Sequence, residues 1–299
     1  MLHVLTHNIL PVFALLALGF AMGRTGTAKQ EEARAINRIA FLVLQPPLVF
    51  LLLTGLDLTA VRYDALALYV AIEVVCFTIT YLFARRICGC AADEAFLLGM
   101  CVTFVNSLMY VWPVATLIYG EAGALPIAAI VAFEASVSFA FYIVGSELIA
   151  GKDGAAAALP KILRNPVIIT IVISLALTLS GLAIPEPVTT AARFAGVAAA
   201  PMTLFAMGVV LSSHSMRPDL AITGVSFMKL VAFPALLWLS FEVASPENPW
   251  KALFILCAAG PSGAMAFSLA LLHGVRTDRI APVIIWTSLI SLASLAWLA

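Results

Sequence analysis

Residues 259–264 read Ala259-Gly260-Pro261-Ser262-Gly263-Ala264, and residues 100–113 read MCVTFVNSLMYVWP, from Met100 through Asn106 and Ser107 to Pro113. Each stretch interrupts an apolar run about eleven residues from its start, which at a rise of about 1.5 Å per residue is close to mid-bilayer. Pro113 removes a backbone donor and frees the carbonyl of Met109. Pro261 frees that of Cys257, and its flanking glycines make unwinding cheaper. Lipid cannot satisfy such groups, so a helix broken at this depth faces protein or a wet cavity, where half-helix N-termini suit an anion. A simple kink is the other reading of each break.

The rest of the chain has the same solvent. Of its 299 residues 63% are apolar and 11% charged, where soluble domains carry about 25% charged residues; the mean hydropathy is +1.08. Sixteen Lys and Arg balance sixteen Asp and Glu, which leaves no basic surplus to suggest nucleic acid. Apolar runs place spans near 6–23, 36–55, 64–84, 95–119, 125–149, 166–184, 189–212, 221–243, 250–272 and 280–299,. At roughly 20 residues each they use about 200, leaving connections rather than a soluble domain. The first segment, Ile9 to Gly23, lacks the positive region of a signal peptide and reads as a retained helix,. The expected fold is an all-α polytopic membrane protein of ten transmembrane helices.

Charge orients it. With the N-terminus outside, Arg24, Lys29, Arg34, Arg38, Arg85, Arg86, Lys152, Lys161, Arg164, Arg217, Arg276 and Arg279 fall inside. Only Arg62, Arg193 and Lys251 fall outside, and Lys229 lies within the eighth span. The positive-inside rule then puts both termini outside. The basic segment 150–165 is expected to be a cytoplasmic linker between a first repeat, 1–149, and a second, 166–299. Five spans are an odd number, so related halves must be inverted. Asn165-Pro166-Val167 echoes Leu10-Pro11-Val12, and Ala200-Pro201 echoes Gln45-Pro46-Pro47, with helix breaks expected at Pro47 and Pro201 as at Pro113 and Pro261.

The PVF opening of span one, Pro46-Pro47-Leu48-Val49-Phe50, Arg164-Asn165-Pro166, Pro201 to Gly208, Lys229 to Pro234, and Gly260-Pro261-Ser262-Gly263-Ala264 together resemble the auxin efflux carrier family. That family includes plant PIN-type auxin carriers and bacterial carriers of malonate and other organic acids. The resemblance covers essentially the whole chain. It implies two inverted five-helix repeats with crossing broken helices four and nine. It also implies a scaffold of helices 1, 2, 6 and 7, and a transport domain of helices 3–5 and 8–10 moving as an elevator. A homodimer in a bacterial inner (plasma) membrane is implied as well. The pattern departs at Asn106, seven residues before Pro113 where the family has Asn-Pro-type pairs, and at Gln45 before the span-two proline.

Glu73 and Glu134 stand near mid-span, where a carboxylate costs ~2.5–3.5 kcal/mol on insertion scales and therefore faces an interior or a wet path. Glu134, Ser138 and Tyr142 share a helix face at i, i+4 and i+8, a stripe suited to a substrate or proton path. A structural, hydrogen-bonded carboxyl is the alternative for both acids. Lys229 is expected to snorkel to the cytoplasmic surface. Glu147 and Glu242, near span ends, need no function. The five cysteines read as small apolar filler, with no metal or disulfide pattern.

Gly260-Pro261-Ser262-Gly263 also has the form of an exposed serine nucleophile. An intramembrane hydrolase lacks a base, because His3, His7, His214 and His273 all sit at span ends,. The reading is a secondary carrier for a small organic anion, with no cofactor. The anion is expected between the broken centres, contacted by Asn106, Ser107 and the backbone of Gly260, Pro261, Ser262 and Gly263, with Gln45 nearby and Glu134 and Ser138 alongside. Protons through Glu134 and Glu73, or Na⁺ as in bile-acid-type symporters, are both open as coupling ions.

Overall fold

The computed structural model describes residues 10–55, 59–150, 159–160, 163–213 and 217–298. The linker residues Lys152 and Lys161, the N-terminal His3 and His7, His214, and Ala299 lie outside them. The described residues form α1 (Leu10–Arg24), α2 (Gln30–Thr54), α3 (Tyr63–Arg86), α4 (Ala92–Thr103), α5 (107–123), α6 (Leu125–Ile149), α7 (Pro166–Ser180), α8 (Glu186–Leu211), α9 (Leu220–Ala244), α10 (Lys251–Ala258), α11 (Met265–His273) and α12 (Ile280–Leu298). No named strand occurs among the described residues. By length and composition α2, α3, α6, α8 and α9 are apolar enough to cross a membrane, and shorter apolar helices accompany them. Span four is occupied by α4 and α5, span nine by α10 and α11.

Polarity is inverted relative to a water-soluble protein. Val243, Leu179 and Val172 are 79%, 75% and 63% exposed, while Glu73, Glu134 and Lys229 are buried. That is the distribution lipid requires.

Local chemistry sets the helix ends. Asn165 caps α7 by accepting from Val167 N (2.9 Å), with Pro166 in the first turn, and Asp219 caps α9 by accepting from Ile222 N (2.7 Å),. The prolines act differently from expectation. At Pro47 and Pro113 the helix is not broken; it carries a widened π turn just upstream, at Ala40–Leu44 and Ser107–Val111, and a third at Met228–Ala232 precedes Pro234. A π turn moves the obstructing carbonyl away from a residue that has no N–H to offer it. Near Pro201 the irregularity is a turn at Val197–Ala198, after which α8 continues.

Helix α1 packs along the second half of α8, and α7 against α2. The α1–α8 contact is close enough that a Cβ at Gly19 would stand 2.1 Å from the Phe205 carbonyl oxygen, and one at Gly208 2.1 Å from that of Leu16. Small residues that let backbones touch are how helices associate in lipid.

Candidate functional site

The two interruptions meet. The chain leaves helical geometry at Phe104 (φ −81°, ψ 95°) and resumes after Asn106, so the break in span four lies well upstream of Pro113. Across it runs the Gly260–Ala264 stretch, in antiparallel register with Val105 opposite Ser262. Asn106 N donates to Pro261 O (2.9 Å) and Gly263 N to Phe104 O (2.8 Å). Two short extended segments thereby satisfy each other where water is scarce. Glycine is needed at 263, because a Cβ there would stand 2.9 Å from the Phe104 oxygen.

Side chains complete the crossing. Ser262 Oγ donates to Cys101 O (2.5 Å), and Thr287 Oγ1 of α12 donates to Ser262 Oγ (3.1 Å) while accepting from Ser262 N (3.2 Å). Ser262 is therefore a structural pin. Its hydroxyl proton is held by a carbonyl rather than by a base. Glu134 of α6 lies on the span-four side: Ser107 Oγ donates to its Oε2, and Val105 N (3.4 Å) and Tyr69 OH (3.2 Å) donate to its Oε1. The α6 helix widens into a π turn over Glu134–Ser138 at this point, a common feature of functional sites.

Lys229 is where the expectation of snorkelling fails. Its side chain is fully buried, Nζ donating to Ala258 O (2.7 Å) and lying 5.0 Å from the Phe233 ring centre. The reason is the broken helix: Ala259 N and Gly260 N take up the Ile255 and Cys257 carbonyls, but α10 ends at Ala258, whose own carbonyl is left to the lysine at the negative end of the helix dipole, which a cation stabilises,. Tyr69 packs against Phe233 and Phe254, and Glu73 follows one turn along the same buried face of α3. The sequence shows both buried acids but not that a buried cation accompanies them. The signal was present in Lys229 standing in the eighth span, the one lysine or arginine assigned to neither side.

Among the proposed anion contacts, the structure separates builders from free groups. The N–H groups of Gly260, Ser262 and Gly263 all donate within the protein, and Pro261 has none. The Ser107 hydroxyl is committed to Glu134. The Asn106 side-chain amide makes no hydrogen bond among the described residues, and neither do the first-turn N–H groups of Leu108, Met109, Met265 and Ala266. Those are the donors open to an anion. Gln45 lies one turn from Phe41, whose ring meets that of Phe139, which in turn meets Phe104 at the crossing. Ser138 is buried on the same helix as Glu134, and Tyr142 hydrogen-bonds Thr103 of α4.

The family described as membrane transport protein, that of the auxin efflux carriers, matches this chain over residues 4–160 and 155–298. The chain belongs to this family. Similar proteins include one of Rhizobium meliloti named "Putative malonate transporter", 28% identical over 98% of this chain and 94% of its own length. An uncharacterized transporter of Methanothermobacter thermautotrophicus is 25% identical over 97% of this chain and 96% of its own length. One of Escherichia coli K12 is 23% identical over 90% and 88%. This auxin efflux carrier family member is thus a multi-pass membrane transporter and not an enzyme, which disposes of the hydrolase reading of Gly260-Pro261-Ser262-Gly263.

Proposed function

We propose that this protein is a secondary carrier of a small organic anion, a carboxylate such as malonate or an auxin-like acid, working by elevator-type alternating access. The observation that carries the reading is the crossing. Two broken helices pair through backbone hydrogen bonds and leave the Asn106 amide and two sets of first-turn N–H groups open beside it, an array that replaces an anion's lost water without a buried arginine. The carboxylate name of the Rhizobium meliloti relative agrees with it.

In this reading the chain is two inverted five-helix repeats in a bacterial inner membrane with both termini outside. The scaffold is α1, α2, α7 and α8; α3–α6 and α9–α12 form the moving domain, and scaffolds pair in a homodimer. The tight α1–α8 contact supports a rigid scaffold.

Coupling runs through protons at Glu134. The buried set of Glu73, Glu134 and Lys229 is neutral overall when its two carboxyls share one exchangeable proton, and low dielectric penalises any other net charge. A proton on Glu134 alters the acceptor that holds Val105 N and Ser107 Oγ, and so reaches the crossing directly. Sodium coupling is the second reading, but Lys229 already supplies a cation at the Ala258 carbonyl. Uptake of a panel of mono- and dicarboxylates into proteoliposomes under imposed pH and Na⁺ gradients tests both. A proton gradient should drive uptake, and Glu134→Gln should flatten its pH profile. Uptake driven only by Na⁺, or an unchanged profile in Glu134→Gln, overturns the coupling assignment.

A further inference from the structure

A second buried titratable pair lies away from the crossing. His273, at the end of α11, places Nε2 3.9 Å from Glu147 Oε1 near the end of α6; the two side chains are 8% and 7% exposed. Nε2 makes no hydrogen bond among the described residues, and the neighbouring Ser146 Oγ is likewise buried without one. A buried imidazole edge facing a carboxylate across a gap too long for a direct hydrogen bond is poised for a bridging water rather than for a static ion pair.

The position of this pair on α6 gives it meaning. Glu134, Ser138, Tyr142 and Ser146 recur every four residues, all of them buried. In a regular α-helix residues four apart drift by about 40° per step, which would carry Ser146 well off the face that Glu134 occupies. The π turn at Glu134–Ser138 holds more residues per turn and takes back part of that drift, so the four stay nearer one stripe,. The stripe faces α4: Glu134 accepts from Val105 N just beyond its end, and Tyr142 hydrogen-bonds Thr103. From Glu134 to Ser146 is about 18 Å along the axis, close to the distance from mid-bilayer to its surface. Successive hydroxyls are about 6 Å apart in rise, a gap that one bridging water spans.

We infer that this stripe of α6, ending in the Glu147–His273 pair, is the path by which protons reach and leave Glu134, with His273 as its terminal donor and acceptor. The inference rests on the proton-coupled reading above and adds its route. In the inward step, imidazolium Nε2–H gives its proton to the chain. Each hydroxyl accepts one proton and passes on its own, the Glu134 carboxylate becomes a carboxylic acid, and His273 is left neutral to take a proton from solvent. Release is the reverse. The elements packed against α11 carry the other charged groups of this region. On α6 it faces Glu147; on α4, Glu94 is already paired with Arg276 (3.2 Å) and Arg279 (3.4 Å), with Asp93 at the same end. Arg279 also binds Asp219 (2.7 Å) before α9, Asp278 lies in the same connection, and α12 carries no acidic or basic residue.

The test follows the carboxyl C=O infrared band after a rapid pH drop on the full chain in lipid nanodiscs, with Glu134→Gln identifying the band of that residue. His273→Gln should slow its appearance at least about tenfold, as loss of a positioned proton donor does, without changing its final amplitude. Millimolar imidazole should restore the rate in His273→Ala, and Tyr142→Phe should slow it by a smaller factor. Wild-type rates in both His273→Gln and Tyr142→Phe would make the pair a structural clamp and overturn the route while sparing the coupling assignment. Absence of any band sensitive to Glu134→Gln would overturn both. The unchanged final amplitude guards against a variant that has simply misfolded.

Discussion

Between Ala258 and Met265 the chain carries Gly260, Pro261 and Gly263, whereas between Thr103 and Ser107 it carries Phe104, Val105 and Asn106. The first set unwinds a helix by its own chemistry, through a missing donor and two residues without side chains. The second contains neither proline nor glycine. Its extended backbone is held by partners, namely Pro261 O and Gly263 N across the crossing and Glu134 on Val105 N. Phe and Val suit an extended backbone once it is offered one. One break is therefore encoded locally and the other is imposed by what the first presents to it.

That asymmetry can be attacked directly. Gly263→Val should have the largest effect, because its Cβ would collide with the Phe104 carbonyl and part the two segments. Uptake should fall on the order of 100-fold, as for a site displaced by about an ångström, in protein that still inserts and elutes as wild type. Retained uptake would show that the pairing is dispensable. Asn106→Ala removes the free amide of the imposed break and should weaken anion binding by ~1.5–3 kcal/mol, the worth of a hydrogen bond to a charged group, read by calorimetry on the transported acid. No change would put the anion elsewhere, along the Ser138 and Tyr142 stripe.

The two prolines form a matched pair. Pro261→Ala lets α10 run on and should cut turnover several-fold, on the order of 1 kcal/mol for a backbone change of this kind. Pro113→Ala, which sits after a π turn and not at a break, should change it by less than about twofold on the same scale. Equal effects would erase the distinction between an encoded and an imposed break.

The smallest effect concerns how α10 is anchored. Arg62 donates to both oxygens of the Asp64 carboxylate (3.0 and 2.8 Å), and Asn248, before α10, donates to the same carboxylate (2.9 Å). The pair is exposed, so Asp64→Asn should shift the melting temperature by no more than about 2 °C,. A larger shift would mean that span nine depends on its anchor at Asp64 as well as on its own residues.

The sequence by itself determined the solvent, the helical class, the position of the long apolar helices, the break at Pro261 and the two buried acids, because each follows from composition or from a residue's own backbone chemistry. The expected spans 64–84, 125–149 and 221–243 meet helices Tyr63–Arg86, Leu125–Ile149 and Leu220–Ala244. Only the tertiary structure decided that span four opens at Phe104 instead of Pro113, that Ser107 serves Glu134 and Ser262 pins α12, and that Lys229 turns inward to Ala258. Each of those depends on a partner contributed by another helix. A buried polar group takes whichever partner the fold brings within reach, and a linear pattern does not contain that distance.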